Sequence, residues 1–174
     1  MSNTNISAPA ITDADLIISR VFDAPRELVF KAWSEAERLA QWWGPKGVKI
    51  GIHQLDFQVG GTFLYSMETP DGNSMWGKFV YQEITPPQRL VFVSSFSDPE
   101  ANITRAPFPG VDNFPLQTRS TLVFTEQDGK TLLEMRGTPI NATEEEIEFF
   151  KGMNSSMQGG WKGTLDALEA FLAG

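Results

Sequence analysis

The residue types that carry most acid–base, nucleophilic and metal chemistry are scarce in this sequence. It contains one histidine, His53, and no cysteine, which excludes disulfides, thiolate metal sites and a cysteine nucleophile. His53 stands in a stretch whose alternate positions are apolar, so its side chain is expected to face outward. No serine stands in a nucleophile-elbow pattern. The sequence therefore predicts no catalytic residue.

With one histidine and no cysteine, only carboxylates are left to form a metal site, and their densest run is Glu144–Glu146. This run lies at a predicted helix start, where the side chains point around the axis rather than at one centre. Negative charge in a first helical turn is also favoured by the helix dipole. Gly60-Gly61 lacks the lysine and the spacing of a phosphate-binding loop. We therefore predict neither a metal nor a cofactor.

The aromatic and methionine residues fit a different chemistry, the binding of a small hydrophobic molecule. Thirteen Phe and five Trp against two Tyr indicate a mostly non-polar aromatic interior, which is either packed core or pocket lining. Met153, Met157 and Trp161 recur at helical spacing, and methionine adapts to variable contents. Tyr65 and Tyr81 would supply the few polar groups that orient a ligand. The predicted lining residues are Phe63, Tyr65, Phe79, Tyr81, Phe92, Phe96, Leu122, Leu133, Met135, Met153, Met157 and Trp161.

The elements that must position these side chains are mainly strands. Alternating apolar residues and turn signals predict about seven strands joined mostly by hairpins, and hence an antiparallel sheet. These strands cover residues 16–22, 48–53, 62–68, 74–84, 89–96, 116–125 and 130–137.

Helical spacing of apolar residues follows the first strand and returns at the end of the chain. Two short helices are predicted between residues 26 and 43. Thr143 and Glu146 form a capping-box pattern at the start of a long C-terminal helix whose apolar stripe reaches Leu172. Because glycine weakens helices, a bend or a thin face is expected near Gly159.

The segment from Ser97 to Pro115 has no strand or helix period, and loops of this length inside a domain are usually functional or disordered. We interpret it as a lid that acts through Phe108 and Phe114. The alternative is an adhesive edge through which the chain forms a homodimer.

Composition excludes other partners and locations. The net charge is −8 and no basic run occurs, which argues against nucleic acid and an anionic membrane surface. No apolar run approaches the roughly 20 residues that span a bilayer, so no membrane insertion is expected. Residues 1–13 are predicted to be a flexible tail without the layout of a signal peptide, followed by a single domain at 14–174. The predicted location is cytoplasmic.

Several local patterns in order along the chain resemble one protein family. They are the stretches 22–33 and 42–45, the acidic double-glycine turn at 56–61, the strand pair at 77–90, and Gly160-Trp161 with Leu165 and Leu168 behind it. Together they resemble the START-like (helix-grip) superfamily, also labelled SRPBCC, in the branch named for the activator of heat-shock-protein-90 ATPase. Gln58 departs from the pattern, since an arginine is usual at that place in the turn.

The resemblance implies an α+β helix-grip fold, in which a curved antiparallel sheet wraps around a long C-terminal helix and encloses a hydrophobic cavity. It does not fix one activity, because the fold hosts lipid carriers, hormone receptors, cyclases and cochaperones. Non-enzymatic binding of a small hydrophobic ligand, such as a lipid, is the favoured hypothesis. The alternatives are a cochaperone-like domain acting on a heat-shock chaperone ATPase, and a cyclase or hydrolase-like enzyme that uses cavity polar residues.

Overall fold

The computed structural model describes residues 15–44 and 47–174, so the predicted tail at 1–13 lies outside the described residues. The strands are β1 (Leu16–Phe22), β2 (Lys49–Leu55), β3 (Thr62–Glu68), β4 (Ser74–Thr85), β5 (Arg89–Ser97), β6 (Ile103–Thr104), β7 (Gln117–Gln127) and β8 (Lys130–Ile140). The helices are α1 (Arg26–Ser34), α2 (Ala36–Trp42), α3 (Glu144–Gly152) and α4 (Asn154–Ala173).

The strands form one antiparallel sheet, which confirms the predicted α+β helix-grip class. The strand order is β1-β8-β7-β5-β4-β3-β2, and β6 pairs with β5. The sequence did not predict β6, a two-residue strand inside the segment 97–115. β1 and β2 are the edges of the sheet, and side-chain amides of α4 cover part of the β1 edge. Asn154 and Gln158 donate to the backbone carbonyls of Asp15 and Ile17 at 3.3 and 3.4 Å.

The C-terminal helical stretch begins as predicted but is interrupted early. Thr143 accepts a hydrogen bond from the Glu146 backbone, and the Glu146 side chain accepts one from Thr143, which completes the capping box. The stretch then breaks at Met153, whose φ and ψ of −89° and 0° separate α3 from α4. The break lies next to Gly152, a poor helix former, and α4 continues as one helix through Gly159.

The core occupies only part of the sheet's inner face, which is the face that carries Phe63, Phe79, Phe92 and Leu122. Side chains of α1, α2 and α4 cover this part and exclude water from it. Those buried there include Phe30, Trp33, Leu39, Trp42, Leu165 and Leu168. In α4 every buried residue lies at Thr164 or beyond, so the N-terminal half of this helix spans sheet that the core does not fill. None of the described helices is long and apolar enough to cross a membrane.

Candidate ligand-binding cleft

The inner face of the sheet changes from large to small side chains along three neighbouring strands, β5, β7 and β8. On each strand the large and the small residue are two positions apart, because alternate residues share a face. The change runs from Phe92 to Ser94 in β5, from Leu122 to Ser120 in β7, and from Met135 to Gly137 in β8. The small residues are neighbours across the sheet, since Ser94 pairs with Thr118 and Ser120 pairs with Gly137. Space is therefore left above them.

This space, which we name the cleft, lies between the small residues and the N-terminal half of α4. Its inner compartment has a volume of about 200 Å³. The sheet contributes Tyr65, Ser94, Thr118, Ser120 and Gly137, and the opposite wall is formed by Phe114, Phe150, Met157 and Trp161. An outer compartment of about 350 Å³ shares Met157 and Trp161 and reaches Trp43.

The electrostatic character of the cleft is neutral. Among the described residues that line its two compartments there is no Asp, Glu, Lys, Arg or His. Its polar side-chain groups are the hydroxyls of sheet residues and of Thr164, and the indoles of Trp43 and Trp161. The Ser94 hydroxyl lies 3.4 Å from the Thr118 carbonyl oxygen. A base for acid–base chemistry is therefore missing from the lining.

Tyr65 is held in place by a close approach to the next strand. It pairs with Gly77 across β3 and β4, and its ring occupies the space that a side chain there would need. A Cβ on Gly77 would lie 2.4 Å from the Tyr65 hydroxyl oxygen. Burial raises the pKa of Tyr65, and the Trp43 side chain beside it opposes this only in part. The hydroxyl therefore keeps its proton at neutral pH and can donate it to a hydrogen bond.

The structure divides the predicted lining residues between the cleft and the core. Tyr65, Phe96, Met157 and Trp161 line the cleft, and Tyr65 also belongs to the buried core. Met153 is half-buried at the helix break. Buried in the core are Phe63, Phe79, Tyr81, Phe92, Leu122, Leu133 and Met135.

Sequence reasoning missed the small residues Ser94, Thr118, Ser120 and Gly137, although a signal for three of them was present. Ser94, Ser120 and Gly137 each stand two positions from a predicted lining residue on the same strand. Their shared position becomes meaningful only when the strand register brings them together.

One wall of the cleft comes from the segment 97–115. Phe114 lies between Phe96 and Phe150, with ring centroids 6.0 and 5.9 Å away. Phe108 contacts Phe96 at 5.9 Å but is 49% exposed. Arg105 donates hydrogen bonds to the Phe114 carbonyl, at 3.2 Å, and to the Glu146 carboxylate. The wall is therefore fastened to the first turn of α3.

Replacing Glu146 by glutamine should weaken this fastening in a pH-dependent way. The hydrogen bond from Arg105, together with that from the Thr143 backbone, holds the pKa of Glu146 below its usual range. A carboxyl group whose pKa is lowered by folding stabilises the protein fully at pH values above its ordinary pKa of about 4.3. That stabilisation is lost as the pH falls through the pKa of the group in the folded protein. We expect the melting temperature of the variant to be lower at pH 7 and to approach that of the unmodified protein below about pH 4. Thermal melts across this pH range measure the difference.

Glu145→Gln is the matched control, because Glu145 is exposed in the same helical turn. It should change the melting temperature little at any pH. Equal pH profiles for the two variants would contradict the assigned role of Glu146.

His53 faces away from the cleft, as predicted. Its Nε2 lies 2.8 Å from the Ser66 hydroxyl, and its ring stacks on Trp76 with centroids 4.3 Å apart. Both partners are on the outer face of the sheet, because Tyr65 and Gly77 occupy the inner face. Among residues 15–44 and 47–174, no group of three or more acidic or histidine side chains is placed to hold a metal ion.

Solved structures share this fold over almost their whole length. A solution structure from Arthrobacter aurescens has a TM-score of 0.76 at 25% identity and covers 92% of this chain and 87% of its own. Protein NE0264 from Nitrosomonas europaea gives 0.74 at 22% identity, covering 95% and 98%. Protein Ms6760 from Mycobacterium smegmatis gives 0.73 at 22% identity, covering 92% and 91%. These likenesses show the fold.

Among curated proteins, no sequence matches the chain. The family model described as Activator of Hsp90 ATPase homolog 1-like protein matches residues 23–173. This match covers most of the chain and confirms the resemblance found in the sequence. The chain belongs to the family of Activator of Hsp90 ATPase homolog 1-like proteins.

Proposed function

We propose that this protein binds a small, mainly apolar molecule in the cleft without converting it. The observation that carries the proposal is the change from large to small residues on the inner face, which leaves space beneath α4. A packed core would place large side chains there, because protein interiors are filled to crystal-like density. The neutral lining supports an apolar occupant.

The dimensions of the cleft also support this role. Ligand pockets commonly measure about 300–1,000 Å³ and are lined mainly by apolar groups with a few polar ones. The two compartments, of about 200 and 350 Å³, adjoin at Met157 and Trp161. Half-buried methionine and tryptophan side chains can shift to fit contents of different shape. Burial of apolar surface, worth about 25 cal/mol per Å², would drive binding.

Filling the cleft from the sheet side should abolish binding. Ser120 is 9% exposed and forms part of the floor, so Ser120→Leu places a branched side chain in the inner compartment. Nile red is a suitable neutral probe because its fluorescence increases in apolar surroundings. We expect saturable Nile red binding to the unmodified protein and at least a tenfold weaker affinity for the variant.

Thr121→Leu is the matched control, since Thr121 is the next residue of β7 and faces the other side of the sheet. It should bind Nile red normally. Gly137→Ala provides a milder test, because a Cβ there meets only ordinary contacts, 3.5 Å from Thr118 and 3.6 Å from Leu16. It should fold normally and weaken binding in part. Unchanged affinity in both cleft variants would refute the proposal.

A second candidate function follows from the family, whose description names an activator of a chaperone ATPase. A chaperone-interacting role would use an outer surface and would not need the cleft. A pull-down with the chaperone and an assay of its ATPase activity test this second function. An unchanged ATPase rate would rule it out. We do not propose a cyclase or hydrolase-like activity, because the described cleft lining offers no base.

The homodimer and the cytoplasmic location stay predictions. Phe108, which is 49% exposed on the segment 97–115, is the side chain through which a second copy would pack. Sedimentation of the unmodified protein and of Phe108→Ser at the same concentration tests this.

A further inference from the structure

The junction of the two compartments carries two hydrogen-bond donors, the indole of Trp43 and the hydroxyl of Tyr65. Trp43 is 6% exposed and lines the outer compartment. Within the described part of the chain its indole Nε1 is buried without a hydrogen bond of good geometry. Buried polar groups are normally paired, and because this nitrogen is buried, its acceptor is expected to be a protein atom and not a molecule in the cleft.

Tyr65 supplies a second donor beside the first. Its ring packs edge-on against that of Trp43, with centroids 5.6 Å apart, and Tyr65 is one of the residues that line the inner compartment. The Trp43 indole lowers the pKa of Tyr65, so its N–H is directed towards the tyrosine oxygen. The tyrosine proton is then free to point at a ligand.

Charged ligands do not suit this site. A carboxylate entering the cleft would lose its hydration without meeting a cation, and an amine would meet no carboxylate, because the described lining has neither. An uncharged oxygen needs only a donor. The site offers the Tyr65 hydroxyl as that donor and surrounds it with apolar side chains.

We propose that the cleft selects an uncharged apolar molecule bearing a carbonyl oxygen, which accepts a hydrogen bond from the Tyr65 hydroxyl. This inference rests on the proposed function and adds the chemical class of the ligand. The apolar body lies between Met157 and Trp161 on one side and the small residues of the sheet on the other. The carbonyl is directed towards the Tyr65 hydroxyl.

Three probes that share one ring system test the inference by titration calorimetry. They are 2-acetylnaphthalene, which has a carbonyl acceptor, 2-ethylnaphthalene, which has none, and 2-naphthoate, which is charged. We expect the ketone to bind about five- to tenfold more tightly than the hydrocarbon, which is the gain in affinity that one net hydrogen bond provides. The carboxylate should bind most weakly.

Tyr65→Phe removes the donor and keeps the ring above Gly77. It should lower the affinity for 2-acetylnaphthalene by about five- to tenfold and leave that for 2-ethylnaphthalene unchanged. Tyr81→Phe is the matched control, because it deletes the hydroxyl of a buried tyrosine that the structure places in the core. It should leave all three affinities unchanged.

The outcomes separate the two proposals. Binding of 2-ethylnaphthalene as tight as that of the ketone, or equal losses for both probes in Tyr65→Phe, would overturn the assigned ligand class while leaving the cleft as an apolar site. Failure of all three probes and of Nile red to bind the unmodified protein would overturn the proposed function itself. Preference for 2-naphthoate would also overturn the inference.

Discussion

Replacing Trp33 by alanine is expected to lower the free energy of unfolding by about 3–5 kcal/mol, the usual cost of deleting a buried aromatic side chain. Trp33 is 2% exposed and lies where three elements meet. Its ring contacts those of Trp42, Trp43 and Trp161, with centroids 4.8, 5.9 and 6.3 Å away. Its indole nitrogen has no hydrogen-bond partner among the described residues. The loss is therefore one of packing, measurable by urea unfolding followed by circular dichroism.

Trp161→Ala is the informative comparison. Trp161 stacks on Trp33 but is half-buried and lines both compartments of the cleft. Its removal deletes fewer packing contacts, because one face of the ring already borders open space. We expect it to cost less than half as much stability as Trp33→Ala. Equal costs would mean that no open cleft lies beside Trp161, and would count against the binding role.

Much of the fold could be predicted from the sequence because the signals are local. Alternating residues fix each strand and its buried face, and the turn residues between strands fix antiparallel neighbours. Thr143 and Glu146 mark a helix start three residues apart. The break at Met153 was harder to predict, since several glycines weaken the same stretch and the helix breaks beside only one of them, Gly152.

The cleft could be predicted only in part because its position depends on distant elements. The alternation of apolar residues within each strand identifies the inner face, which carries Phe63, Phe79 and Phe92. It does not show which end of that face the helices α1 and α2 cover. Trp33 and Trp42 on these helices fill one end. Tyr65, beyond that filled end, therefore lines the cleft while Tyr81 does not. Strand register is the missing information, and it is set by the whole sheet.

The turn between β2 and β3 supplies the last prediction. Gly61 lies under the backbone of Asp56, and a Cβ at this position would stand 2.0 Å from the Asp56 carbonyl oxygen. That oxygen accepts a hydrogen bond from the Gln58 backbone at 2.9 Å, while Gly61 accepts one from the Tyr81 backbone at 3.0 Å. The Asp56 backbone in turn donates a hydrogen bond to the Thr62 carbonyl at 3.0 Å, so the two sides of the turn cannot separate without breaking that bond. Gly61→Ala is therefore expected to cost about 3 kcal/mol or more, as overpacking against fixed backbone does.

Gly60→Ala distinguishes the effect of steric crowding from that of backbone conformation. The two glycines are adjacent, but Gly61 is required by a close contact and Gly60 by its positive φ. Gly60 has a φ of +85° and no atom within 4 Å of an added Cβ, so alanine there should cost only the left-handed strain of about 1–2 kcal/mol. Urea unfolding of both variants measures the difference. If the two costs are equal, the close approach at Asp56 is not what requires glycine at position 61. If Gly61→Ala costs clearly more, this contact is the physical reason for the second glycine of the pair, and it holds the β3 end next to Phe63 at the boundary between core and cleft.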